Sequence, residues 1–278
     1  AIVSQHIGDM ENFEALSFFK ETLSNLKNSF RVNPRLVAYD LHPEYLSTKF
    51  ALQQKGVELF GIQHHHAHIA SAMADNGIRE KVIGVAFDGT GYGLDGNIWG
   101  GEFLIADYQD FIRKAHFKYV PMPGGEQAIR EPYRMALSYL YSALGEKIRK
   151  ESLKSLPVDK KGLEIIIKMI DNKINCPLTS SCGRLFDAVS SLIGLCHKIT
   201  FEAEAAMNLE MVADGFSPGI YSYEIKEYSS VYIIDPAPLL LEVMEDVQKG
   251  LSRGMISTKL HNTLANITLE LCLRISRE

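Results

Sequence analysis

Apolar positions along the chain switch repeatedly between a period of two and a period near 3.6. The first stretch, AIVSQ, reads as strand-like. Residues 11–30 then place Phe13, Leu16, Phe19/Lys20, Leu23 and Leu26 on one face, which predicts an amphipathic helix. RLVAY at 35–39 and ELFGI at 58–62 read as short buried strands flanking a helix over about 44–54. A further helix opens at the histidines of QHHHAH and runs to about Asn76. KVIGVAF, 81–87, is a strand that ends in the glycine-rich DGTGYG. NIWGGEFLIADY and RKAHFKYV predict two antiparallel strands joined by a polar turn. Beyond about residue 121 the 3.6 period dominates. Helices are predicted near 132–144, 159–172, 182–195, 202–213, 236–249 and 256–276, with one strand pair near 220–226 and 230–234.

Alternating strands and helices followed by a meander make this an α/β pattern with a mixed sheet. The change near residue 121 suggests two subdomains. Residues 1–120 would be an α/β part carrying the histidine helix and the DGTGYG loop. Residues 121–278 would be a helix-rich part that contributes to a nucleotide site. Both ends of the chain look cut: there is no initiator Met, and helical spacing from Leu260 to Ile275 runs to the last residues without a stop signal. The chain is therefore expected to be a piece of something longer.

Charge removes some classes of function. A net charge of −5 with dispersed Lys and Arg argues against a nucleic-acid partner. The four cysteines form no CxxC pair, as expected of reduced thiols in a cytoplasmic protein. No apolar stretch is long enough for a membrane helix, and no signal peptide is evident.

Four of the nine histidines fall within residues 64–68. On a helix, residues four apart stack with Cβ atoms about 5–6 Å apart, so His64 and His68 project side by side. Two imidazoles so placed can share a divalent ion. A cluster that merely satisfies a helix terminus is the competing reading, and His65 and His66, on other sides of the turn, suit that or a contact with substrate. Asp88 follows an apolar strand and opens a run with three glycines in five residues. Its carboxylate could complete a His-His-Asp set with positions open to substrate oxygens. Gly89, Thr90 and Gly91 would let backbone amides approach a phosphate, although a plain Asp-Gly hairpin turn explains the same residues.

SSCGRLFDAVSSLIGL offers a serine cap at 180 or 181, Gly183 in the first turn and Asp187 one turn on. Asp187 lies off the apolar face of Leu185, Val189, Leu192 and Ile193. It is either a ligand or a surface acid favoured by the helix dipole. Glu202 and Glu204 have the same two readings. In GGEQAIREP, Pro132 suits the first helical position, and Arg130 could grip an anion or pair with Glu126.

Taken in order, DLHPEYLST (40–48), QHHHAH (63–68), FDGTGYG (87–93), WGGEF (99–103), PGGEQAIREPYR (123–134) and SSCGRLFDAV (180–189) resemble the HypF family, and SQHIGDMEN at 4–12 fits the same pattern. The resemblance covers essentially the whole chain. It implies an actin-like, RNase H-type (ASKHA) ATPase fold, present here as an incomplete copy. The opening strand-turn-strand, a final Gly-Gly loop with an Asp metal ligand, and the acylphosphatase, zinc-finger and YrdC-like domains of the family are unmatched. It further implies that His64, His68 and Asp88 hold a divalent metal (zinc, iron or magnesium). Asp187 would bind ribose hydroxyls of ATP or its adenylate, beside Gly183 and Glu202.

The implied activity is carbamoyl transfer, starting from carbamoyl phosphate or carbamate and ATP. It proceeds through carbamoyl-adenylate to the C-terminal cysteine of HypE, in the maturation of nickel–iron hydrogenases. Synthases of threonylcarbamoyl-adenosine in tRNA and small-molecule O-carbamoyltransferases share the fold, and a non-catalytic docking scaffold is a third alternative. DGTGYG in place of the Ser-Gly-Gly loop of the tRNA enzymes favours HypF. Ala203 stands where relatives often carry Gly.

Overall fold

A computed structural model describes residues 2–8, 10, 12–215 and 219–278. Ala1 of AIVSQ, and Asp9 and Glu11 of SQHIGDMEN, lie outside these; Ile2–Gln5 are described and form no strand. The chain divides into two compact units, 1–67 and 68–278.

The first unit is a βαβ arrangement preceded by a helix. Helix α1 (Phe13–Phe30) starts where Asn12 accepts a hydrogen bond from the Ala15 amide at 2.8 Å, and it stops at Arg31 in the left-handed region. Its packed side carries Leu16, Phe19, Thr22, Leu23 and Leu26, as the periodicity required. Phe13, on the predicted face, is instead exposed. Strands β1 (Leu36–Asp40) and β2 (Glu58–Ile62) pair in parallel with Asp40 opposite Ile62, and α2 (Leu46–Leu52) connects them. Parallel pairing brings both carboxyl ends to one edge, where ligand sites of α/β proteins lie. Asp40 and the start of α3 (His64–Asp75) share that edge. Helix α3 runs unbroken through the division between the units.

The second unit is built on a seven-stranded mixed sheet. Strands β3 (Val82–Tyr92), β4 (Ile98–Ala106) and β5 (Phe111–Phe117) form the expected antiparallel meander. The short β6 (Val120–Pro121) and β7 (Leu178–Thr179) extend it beside β4, while β9 (Val231–Asp235), paired with β8 (Glu224–Tyr228), lies parallel to β5. The helices are α4 (Glu126–Arg130), α5 (Pro132–Leu144), α6 (Lys160–Asp171), α7 (Cys182–Leu192), α8 (Glu204–Val212), α9 (Ala237–Gln248) and α10 (Arg253–Ile275). Phe103 and Phe117 from the sheet, Met135 and Leu140 from α5, and Leu185 and Val189 from α7 are buried in one core.

Two expectations change. The composition shift near residue 121 is no break between the units, because β4 pairs with β7 and β5 with β9 across it. Nor does β3 stop before Asp88. It continues to Tyr92 with a register shift: Phe87 faces Gly101 and Gly91 faces Trp99, so Asp88, Gly89 and Thr90 stand opposite the single Gly100. The three residues form a bulge, a device that re-aims side chains beside functional sites. The hairpin turn lies further on, over 94–97. No helix among the described residues is long and apolar enough to cross a membrane.

Candidate functional site

His64 and His68 are one turn apart on α3, as their spacing requires. Behind His64 stands Asp40, the first residue of the DLHPEYLST stretch. Asp40 Oδ2 lies 2.6 Å from His64 Nδ1, and Asp40 Oδ1 accepts a 2.7 Å hydrogen bond from the His42 amide. Burial works against the ionised form of Asp40, but the bonds to His64 and His42 outweigh it and hold the carboxyl below the usual range. A carboxylate on one imidazole nitrogen fixes ring orientation and tautomer, the arrangement found behind metal-ligating histidines. The other two histidines play a different part. Gln63 accepts a 2.9 Å bond from the His66 amide and lies 3.1 Å from His65 Nδ1, so it caps α3 and holds His65. His65 is fully buried and His66 nearly so, which gives the pair a packing role and leaves His65 no open face for a substrate.

Within the second unit, His68 Nε2 is 3.8 Å from Asp88 Oδ2, and most of the His68 side chain is exposed. The bulge that carries Asp88 is held from two sides. Ser181 caps α7, accepting from the Arg184 amide at 3.2 Å, and donates its own hydroxyl to the Asp88 carbonyl at 2.6 Å. Gly183 lies so close that a Cβ there would stand 2.9 Å from Gly89 Cα. On the other side is Gly100, at φ 156°, where a Cβ would come within 2.6 Å of the Asp88 carbonyl oxygen. Next along β4, Glu102 is fully buried. It accepts from Ser180 Oγ at 2.6 Å, from Arg113 Nε at 2.7 Å and from the Gly100 and Gly101 amides at 3.2 and 3.3 Å. The Arg113 guanidinium lies 3.8 Å above the Trp99 ring. WGGEF and SSCGRLFD are thus parts of one clamp on the bulge.

The bulge and the start of α7 open onto a cavity of about 340 Å³, lined by Asp88, Gly89, Thr90, Gly183, Arg184, Asp187, Glu202 and Ala203 among others. Asp187 is not the surface acid that its place off the apolar face suggested. It is 4% exposed and ion-paired with Arg184 Nε at 2.6 Å. Burial pushes its carboxyl up to about 6, against the pull of Arg184. A carboxylate raised from 3.8 keeps its proton longer when folded, so its contribution to stability is present below about pH 4 and is lost as pH rises through 6. Asp187→Asn removes that dependence. Between pH 4 and 7.5, urea melts of the native chain should lose on the order of 2–3 kcal/mol more than those of the variant. Parallel pH profiles would show the carboxyl to be unperturbed.

A scan of family models matches residues 84–278 to the second subdomain of the Kae1-like domain of carbamoyltransferases, and residues 1–75 to the HypF Kae1-like domain. The chain belongs to the HypF family. Carbamoyltransferase HypF2 of Cupriavidus necator is 41% identical over 79% of this chain and 28% of its own length. HypF of Synechocystis is 34% identical over 97% of this chain and 37% of its own. The crystal structure of full-length HypF in its phosphate- and nucleotide-bound form is 44% identical, with a TM-score of 0.92 over 98% of this chain and 42% of that one. T. kodakarensis HypF gives 33% and 0.87 over 99% of this chain and 37% of that one. The chain therefore spans about a third of the length of these HypF proteins, and the actin-like α/β fold read from its motifs is theirs.

Against this HypF frame, the residues singled out in the sequence fall into separate places. Gly89, Thr90, Gly183, Asp187 and Glu202 gather around the cavity with Asp88. Gly91 returns to the ladder opposite Trp99. Arg130 is exposed and paired with Glu126 at 2.5 Å, the salt bridge that competed with an anion-gripping role. Ala203 sits at φ 60°, ψ 10°, a left-handed conformation that glycine adopts more readily. Asp40, Glu102 and Arg184 were missed as functional candidates; the one usable signal was an Asp two residues before a potential amide donor in DLHP.

Proposed function

We propose that this chain is the carbamoyl-transfer module of a HypF protein, and that it holds carbamoyl-adenylate while the carbamoyl group passes to the C-terminal cysteine of HypE in nickel–iron hydrogenase maturation. One observation carries the reading. The bulge Asp88–Thr90 turns one acid toward His68 and lines the cavity that contains Asp187, so a metal-type and a nucleotide-type cluster meet at Asp88. The names of the relatives supply the reaction class.

A divalent ion would take imidazole nitrogens from His64 and His68, one turn apart on α3, and a carboxylate oxygen from Asp88, which lies beside His68. The Asp40 carboxylate on His64 fits it, and the nitrogen-rich set suits zinc or iron better than magnesium, which prefers oxygen ligands. When bound, the ion supplies charge neutralisation and Lewis-acid polarisation at the phosphate. Asp187 accepts from the ribose hydroxyls, and the glycines of the bulge let the backbone approach the phosphate. In the transfer the acceptor's thiolate sulfur bonds to the carbamoyl carbon as the carbon–oxygen bond to phosphate breaks. AMP leaves with the electron pair, and the thiol proton goes to solvent. None of the chain's cysteines is needed.

Calorimetry with adenosine and AMP tests the reading. Native protein should bind both with one site at the cavity, and Asp187→Asn should weaken each about tenfold or more, the value of hydrogen bonds to a charged acceptor. Native protein that takes up neither ligand would sink the nucleotide reading.

A further inference from the structure

We infer that Arg184 holds the phosphate of the bound nucleotide, one hand of its guanidinium fork on Asp187 and the other open to the anion. The inference rests on the nucleotide reading of the cavity and adds the group that makes an anion welcome there.

Charge sets the problem. Asp88, Asp187 and Glu202 all line the cavity, and an adenylate brings at least one further negative charge. Like charges a few ångströms apart in a partly desolvated space repel strongly. Among the described residues lining the cavity, Arg184 is the one cationic side chain. It is 6% exposed, in the first turn of α7, so its position is fixed by packing.

A buried guanidinium carries five N–H donors in a planar fork. Here the Nε edge faces Asp187 Oδ2 at 2.6 Å. No hydrogen bond to Nη1 or Nη2 is present among the described residues. Nη2 reaches toward the bulge, 3.8 Å from the point where a Cβ on Gly89 would stand. Nη1 and Nη2 are not sealed away from solvent as Nε is, so an oxyanion that enters the cavity can take this edge of the fork as a charge-assisted donor in place of water. The ligand class follows from the neighbours. Asp187 is an acceptor for hydroxyl groups, and the outer edge of Arg184 beside it is a donor for an anion. Hydroxyls adjacent to an anionic group describe the ribose and phosphate of a nucleoside monophosphate ester. A simple anion lacks the first feature, and a free nucleoside lacks the second. In the transfer step the leaving phosphate gains a charge, and a guanidinium already in place stabilises it without reorganisation.

The test compares AMP with adenosine by calorimetry on metal-free protein, so that no ion competes for the phosphate. Native protein should bind AMP more tightly than adenosine. Arg184→Gln should weaken AMP about 10- to 100-fold and leave adenosine within about threefold, as expected for one charge-assisted contact. Equal losses for both ligands would mean that Arg184 only positions Asp187, and an unchanged AMP affinity would mean that it touches no phosphate; either overturns the inference. Should Arg184→Gln fail to give a cooperative melt, Arg184→Lys decides, because it keeps the charge and stem but not the fork. An AMP-selective loss of at least about fivefold then supports the assignment, and native AMP affinity overturns it. If native protein binds adenosine and AMP equally, the nucleotide reading survives and the Arg184 assignment fails. If it binds neither, both fail.

Discussion

Replacing His68 by alanine is expected to abolish stoichiometric binding of zinc or iron, lowering affinity by about 10³-fold or more. Each structural metal bond is a large share of an apparent binding free energy of about 10–16 kcal/mol, and a site reduced to His64 and Asp88 keeps too few donors to hold an ion firmly. Because the His68 side chain is 60% exposed, its loss leaves no cavity, and the circular dichroism and melt of the variant should match those of the native chain. Asp40→Asn should act on the same site more gently. It keeps the shape of the bond to His64 but removes the charge behind the ring, and the expected loss is about 10- to 100-fold. Metal content by elemental analysis and competition with a chelator read both. A His68→Ala protein that retains one tightly held ion would exclude the proposed donor set, and a larger loss for Asp40→Asn than for His68→Ala would invert the order of the two roles.

Much of this site was legible because its parts are local. An i, i+4 pair of histidines stays a pair wherever the helix is placed, and a Gly-rich run after an apolar strand announces close backbone approach. Helix α7 announced itself through its cap and period, and Ser181 does cap it. What the sequence hid is non-local. Asp40 meets His64 through the parallel pairing of β1 and β2, 24 positions apart along the chain, and no periodicity encodes that pairing. Ser180 and Glu102 are 78 positions apart. Asp187 looked solvated because it lies off the apolar stripe of α7, yet the bulge of β3 packs over the start of that helix. The apolar run of β3 ends at Phe87, before the glycines, yet the strand continues to Tyr92. Here they are tolerated because the glycine-rich strand β4 leaves room for a three-residue bulge.

Glu102 supplies the second large effect. Glu102→Ala is expected to destabilise the chain by about 3–5 kcal/mol, since it removes the buried acceptor shared by Arg113 Nε, Ser180 Oγ and the Gly100 and Gly101 amides and leaves Arg113 with Asp95 and Tyr119. For a unit of this size that corresponds to a fall in melting temperature on the order of 10 °C. The loss should be strongly non-additive. Glu102→Met with Arg113→Met removes both charges and fills their space, and it should cost less than Glu102→Ala alone, because a buried ion pair is held in place more by the penalty of breaking it than by its net value. The same double variant separates folding from positioning. Its core is intact, but Ser180 and the Gly100 and Gly101 amides have lost the acceptor that fixes them against Asp88. AMP and metal affinities should therefore fall in the double variant even where its melt is close to native. Native affinities in a stable double variant would show that the bulge holds its shape through Ser181, Gly183 and the strand ladder alone, and that Glu102 serves stability and nothing else.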